Sequence, residues 1–209
     1  MTTCCDAPGG GGAGLEGRQR RVLQLVLTIN AGMFLVELGA GLLAHSTALL
    51  ADSLDMLGDA LVYAFSLAVL GRGTRWQARA ALLKGGIMAV FGLGVLGEVV
   101  VKALRGIVPT AAIIGGVGLL ALVANLACLA LLLRHRADDL NLRSTWVCSR
   151  NDVIANVGVL AAAAGVAFTG SAWPDIVIGA AIAGVFGASA VGVLRDATRQ
   201  LQLVRSGAS

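Results

Sequence analysis

The chain reads as an all-α integral membrane protein with six transmembrane helices and both termini in the cytoplasm. Three observations predict this. Apolar side chains make up 57% of the 209 residues and charged ones only 13%, with a mean hydropathy of +0.84, a composition no soluble domain adopts. Apolar runs of about 20 residues, long enough to cross about 30 Å of hydrocarbon as a helix, recur along the sequence. Lys and Arg are also segregated. With the N-terminus inside, thirteen of the sixteen fall in inner segments, Lys102 and Arg105 in outer loops, and Arg150 within a span. The net charge of +4 is therefore a topology signal, and 4% aromatics supply no stacking platform for nucleic acid. The 29 glycines and 3 prolines follow no collagen-like period, which removes the fibrous class.

Taken in order, residues 1–21 form a polar, Gly-rich cytoplasmic tail expected to be disordered. The first span, Val22 to Ala44, is too long for a signal-peptide core and carries Asn30 and Glu37 where a cleavage site would have small residues. The second, Ala48 to Leu70, holds three aspartates. The third runs from Leu82 to Val101, and the fourth, Thr110 to Leu133, is uncharged and follows Pro109, a residue suited to a helix start. Thr145 to Phe168 forms the fifth, and Ile176 to Leu194, just after Pro174, the sixth. Trp76, Trp146 and Trp173 fall near span ends, where indole sits among lipid headgroups. Residues 195–209 are a short cytoplasmic tail, so 22–194 is one transport-sized membrane domain, expected in the plasma membrane (the inner membrane of a bacterium). Ala180, Gly184, Ala188 and Gly192 make a small-residue stripe on the sixth span, read as packing within the chain in preference to a dimer seam.

The acidic residues carry the functional information. Asp6, Glu16, Asp138, Asp139, Asp175 and Asp196 lie in tails or loops, but Glu37, Asp52, Asp55, Asp59, Glu98 and Asp152 are inside spans. An ionised carboxylate at a helix centre costs roughly 2.5–3.5 kcal/mol on the insertion scale, so three in one span need a function to explain them.

Spacing sharpens the inference. Asp52, Asp55 and Asp59 are three and four residues apart and share one face of the second helix. Cys148, Asp152 and Asn156, four apart, share a face of the fifth, with Arg150 directed away from it. Two helices that each present an i, i+4 pair can enclose a divalent ion in four-fold coordination, and carboxylate with thiolate suits zinc-like metals. The cage so read is Asp55, Asp59, Cys148 and Asp152. Three carboxylates and a thiolate repel one another unless they hold protons or a cation, so metal and protons compete for the site. Mutually exclusive occupancy at a midplane site is the basis of an antiporter.

At these residues the sequence resembles the cation diffusion facilitator family. His45 to Leu61 (His-Ser-Thr-Ala-Leu-Leu-Ala-Asp-Ser-Leu-Asp-Met-Leu-Gly-Asp-Ala-Leu) looks like that family's second-helix signature. Cys148 to Asp152 stands in the place of its fifth-helix His-x-x-x-Asp, and Asn30 and Glu37 resemble recurrent first-helix positions. The resemblance covers the membrane region. It implies proton-coupled export of zinc-like divalent cations, with Asp55 and Asp59 as one ligand pair and Cys148 and Asp152 as the other. Cys148 in place of histidine shifts the expected preference toward zinc, cadmium and mercury and away from manganese and magnesium. The soluble metal-binding domain that the family usually appends is expected to be absent, as is a His-rich tract between spans four and five.

Other residues take subsidiary roles. Asp52 is a candidate fifth ligand, proton relay or second-layer hydrogen-bond partner, the last being favoured, and Asn156, Asn30 and Glu37 are candidates for second-layer hydrogen bonding or proton relay. Arg150 is expected to form an ion pair with Glu98 or Glu37, with electrostatic expulsion of metal as the rival role. Cys4 and Cys5 could capture soft metal near the inner mouth, but two thiols fall short of a defined zinc site, which favours an idle pair. Cys128 reads as an ordinary buried residue and His45 as a solvated loop histidine. No permanent cofactor is expected; the metal is cargo, the other partners are protons and the bilayer, and a homodimer rests on family analogy. An aspartyl protease dyad of Asp59 and Asp152 lacks the paired glycine of that chemistry, and no Gly-x-Ser-x-Gly or His-Glu-x-x-His is present, so an enzyme is not expected. Two alternatives remain: a metal-binding sensor or scaffold subunit without flux, and a proton-coupled exporter of organic cations, for which more aromatic lining would be expected.

Overall fold

A computed structural model describes residues 17–69, 74–135 and 140–205; within these, the side chains of 17–20, 66–69, 74, 75, 77, 132–135, 140–151, 200 and 203–205 fall outside the described set. Six helices follow in chain order among the described residues: α1 (Gly17–Ala44), α2 (Thr47–Val69), α3 (Thr74–Arg105), α4 (Ala111–His135), α5 (Leu140–Thr169) and α6 (Trp173–Arg205). The protein is an all-α, multi-pass membrane protein, as the apolar runs predict. Several helices outrun their expected spans, α3 and α6 the most. α3 begins well before Leu82, and α6 continues past Leu194 to Arg205, through most of the segment expected to be a tail.

Five of the helices are long and apolar enough to cross a bilayer, with mean hydropathies from 1.7 to 2.3. α2 is absent from that group, since it carries three aspartates in 23 residues, yet at 1.5 Å per residue it is about 34 Å long and can still span. Its position resolves the conflict. α2 packs against α1, α3, α5 and α6, and every residue from Ser46 to Leu54 is buried. Among the described residues, the large apolar side chains that face outward, such as Leu43, Val90, Leu104, Val123, Ile154 and Val185, belong to other elements. Lipid therefore meets the apolar helices while the polar one is shielded by protein.

α3 lies along α6, and α1 and α2 pair beside α4 and α5. Leu50, Leu54, Met88, Ala183, Phe186 and Ala190 form the packed seam between α2 and the α3–α6 pair. The small-residue stripe of α6 does not contribute to it. Gly184 and Ala188 are exposed, and a methyl added at Gly184 would meet nothing within 4 Å. The core-facing positions Ala183, Phe186 and Ala190 lie on an adjacent face, and only the half-buried ends of the stripe, Ala180 and Gly192, agree with packing within the chain.

Helix ends follow from local chemistry. Gly106 (φ 66°) and Gly170 (φ 62°) stop α3 and α5 in the left-handed conformation, their amides donating to Lys102 O and Val166 O at 2.9 Å. α1 ends in a Schellman turn. Ser46 N donates to Gly41 O at 2.9 Å and His45 N to Leu42 O, with His45 itself at φ 51°, a position usually given to glycine.

Candidate functional site

Because α2 and α5 run antiparallel and touch, the acids of one meet the polar face of the other in two rungs. On the inner rung, Asp59 of α2 and Asp152 of α5 are hydrogen-bonded side chain to side chain, an arrangement that needs one proton between two carboxyl groups. The Tyr63 hydroxyl, one turn further along α2, also donates to Asp59. On the outer rung, Asn156 Nδ2 donates to Asp52 Oδ1 at 3.3 Å, and also to Asp152 O on its own helix at 2.9 Å. Glu37 of α1 lies within electrostatic reach of Asp52 and Asp55. Two rungs thus gather five of the residues singled out from sequence, with Asp55 between them.

Several predicted residues remain apart. Among the described residues, no three His, Cys, Asp or Glu side chains are drawn together as a ready metal cage. The Cys148 and Arg150 side chains lie outside the described residues, as do Cys4 and Cys5. Glu98, the expected partner of Arg150, is exposed on α3 one turn before Lys102. Asn30 is buried, its Nδ2 donating to Val26 O at 2.9 Å within α1.

Unsatisfied oxygens mark where a cation would be welcome. Both oxygens of Glu37, Asp52 Oδ2, Asp59 Oδ2 and Asn156 Oδ1 are buried without a hydrogen-bond partner. Leaving such atoms unpaired in an apolar interior is costly, and a bound cation or proton removes the cost.

Some residues of the site escaped the sequence reading. Lys84, only 4% exposed on α3, lies within electrostatic reach of Asp59. Cys128 is fully buried beside Val26 and Tyr63, within electrostatic reach of Asp59 and Asp152, so its surroundings are more polar than those of an ordinary core thiol. Asn125, one turn earlier on α4, is buried with Nδ2 unpartnered. The signal for Asn125 was available: an amide in an otherwise apolar span.

Asp175 is the largest correction. Read as a loop residue, it is fully buried in the first turn of α6 and serves as the external cap of α2. Its Oδ2 accepts from Thr47 N at 2.7 Å, Thr47 Oγ1 at 2.6 Å and Lys102 Nζ at 2.6 Å; its Oδ1 accepts from Ser46 Oγ. Ser46 Oγ in turn accepts from Leu49 N at 3.1 Å, so the orphan amides that open α2 find partners. Lys102, expected in an outer loop, is buried at the end of α3 and also donates to His45 O. Gly179, one turn after Asp175, lets α6 touch this corner: an added Cβ would lie 2.6 Å from Thr47 C. This joint pins the start of α2 to α3 and α6.

A family model described as the cation efflux transmembrane domain matches 23–202. The chain is 28% identical over 174 residues to the metal cation efflux system protein CzcD of Cupriavidus metallidurans, covering 78% of this chain and 55% of that protein. It is 26% identical over 176 residues to the cadmium, cobalt and zinc/H(+)-K(+) antiporter of Bacillus subtilis, covering 77% and 56%. To the vacuolar zinc transporter ZRC1 of Saccharomyces cerevisiae it is 30% identical over 144 residues, covering 62% and 32%. The chain spans about half the length of the first two of these relatives and a third of the last.

Proposed function

This chain belongs to the cation efflux transmembrane family, and from that premise we propose that it exports zinc-like divalent cations from the cytoplasm in exchange for protons, by alternating access at a site between α2 and α5. The observation that carries the reading is the meeting of Asp59 and Asp152 across two helices in the interior of a membrane bundle. Asp55 precedes Asp59 by four residues and Cys148 precedes Asp152 by four, so helical spacing alone assigns each proposed ligand pair to one face of its helix.

The chemistry follows from charge. A divalent ion at Asp55, Asp59, Cys148 and Asp152 replaces the proton that the Asp59–Asp152 contact requires, and loss of the ion restores it. An exporter that accepts metal from the inside and protons from the outside cycles between these two occupancies. Thiolate in the set favours zinc and cadmium over magnesium. The names of the relatives agree in class, since they specify metal cation efflux, zinc transport, and exchange of cadmium, cobalt and zinc for H(+) and K(+). The setting is a plasma membrane, the inner membrane in a bacterium, and no catalytic chemistry is assigned.

Flux tests the proposal. Proteoliposomes should take up zinc or cadmium only when a pH gradient is imposed, and Asp55→Ala, Asp59→Ala and Asp152→Ala should each abolish uptake. Binding without flux in the wild type would indicate a sensor or scaffold instead, and wild-type rates in any one variant would remove that residue from the site.

A further inference from the structure

Glu37, Asp52 and Asn156 lie on the outer side of the Asp59–Asp152 rung, on three different helices, and each is 0% exposed. The hydrogen bond from Asn156 Nδ2 to Asp52 Oδ1 fixes the amide so that its oxygen is left over. Asp52 Oδ2 and both Glu37 oxygens are likewise buried without hydrogen-bond partners. Four oxygen acceptors are thus buried in one electrostatic neighbourhood with no donor assigned to them.

The surroundings give this group a place on a path. Leu49, Ile114, Val159, Ala162 and Ala163 form an apolar plug toward the outer face, with Ala40 packed against it. Asp52 is one turn inside Leu49, Asn156 one turn inside Val159, and Glu37 one turn inside Ala40. All three polar residues therefore sit immediately beneath the plug, about 10 Å along α2 from the inner rung at 1.5 Å per residue between Asp52 and Asp59.

We infer that Glu37, Asp52 and Asn156 form a second cation station, which receives the divalent ion after it leaves the α2–α5 cage and holds it beneath the outer plug before release. The station rests on the transport reading above. Its donors are all oxygens, whereas the cage includes a thiolate, so a zinc-like ion binds the station more weakly and moves outward without being trapped again. The same difference reverses preference for a hard ion. Manganese, which the cage disfavours, is suited to the carboxylate and amide oxygens of the station.

Mn²⁺ binding to the full chain in lipid nanodiscs, followed by electron paramagnetic resonance, is the test, because it requires no flux. With the cage removed by Asp59→Asn and Asp152→Asn, one Mn²⁺ should still bind per chain, and adding Glu37→Gln or Asp52→Asn should weaken it at least tenfold. Asn156→Asp in the same background should tighten it about tenfold, a gain that misfolding cannot mimic. Absence of Mn²⁺ binding to the cage-less protein, or binding indifferent to all three substitutions, would overturn the station. In flux assays Glu37→Gln should lower the maximal rate about tenfold with little change in half-saturating zinc, because loading at the cage is retained. Failure of the transport reading is a separate outcome: no gradient-driven flux in the wild type, whatever Mn²⁺ does.

Discussion

At the scale of single residues, the outer corner of the molecule shows how one buried charge organises several backbones. Asp175 is fully buried and Lys102 nearly so, and each satisfies the other at 2.6 Å. Removing one partner from such a pair leaves an uncompensated charge, a loss of about 3–5 kcal/mol. Asp175→Asn should therefore lower the thermal unfolding midpoint of the detergent-solubilised protein markedly, and Lys102→Met should do the same. The double variant should lose less than the sum of the two, since the interaction is shared. His45 offers the opposite sign. It holds φ 51° at the end of α1 while contributing only its carbonyl to Lys102. His45→Gly keeps that carbonyl and relieves a left-handed residue, so stability should rise by about 0.5–1 kcal/mol. A drop would show that the imidazole itself has a structural role.

At the scale of elements, α2 is a helix that only its neighbours make tolerable in a membrane. Its aspartates exclude it from lipid, and its amino end needs acceptors that α6 supplies. The approach depends on Gly179, where any side chain would collide with the backbone of Thr47 and Ala48. Gly179→Val should disrupt the α2–α6 contact, with a large loss of folded protein in size-exclusion chromatography, whereas Gly184→Val, on open surface, should be silent. The six helices were readable from hydropathy, because a bilayer imposes a fixed apolar length on each. Their ends were less so. α3 and α6 run on through Arg75, Arg79, Arg195 and Arg199, since hydropathy marks where lipid stops and not where a helix stops. The rungs were partly readable for a related reason. Asp52, Asp55 and Asp59 share a face by helical spacing alone, and so do Asp152 and Asn156. The capping role of Asp175 was invisible, because its partners are 73 to 129 residues away and short range suggested only a loop.

At the scale of the whole molecule, apolar side chains form both the packed core and the outward surface, and a small set of charged and amide side chains, Glu37, Asp52 and Asn156 among them, is buried within that core. Glu37, Asp52, Asp59 and Asp152 lie on α1, α2 and α5, and the apolar cluster of Leu49, Ile114 and Val159 packs one turn beyond Asp52 and Asn156. The proposed transport requires α2 and α5 to share one ion, and that sharing is the central claim. X-ray absorption on the zinc-loaded full chain tests it most directly. The account predicts a mixed shell with one sulfur at about 2.3 Å and oxygens at about 2.0–2.2 Å, the sulfur vanishing in Cys148→Ser and the oxygen shell thinning in Asp59→Asn. A shell of oxygen and nitrogen alone, unchanged in both variants, would contradict it.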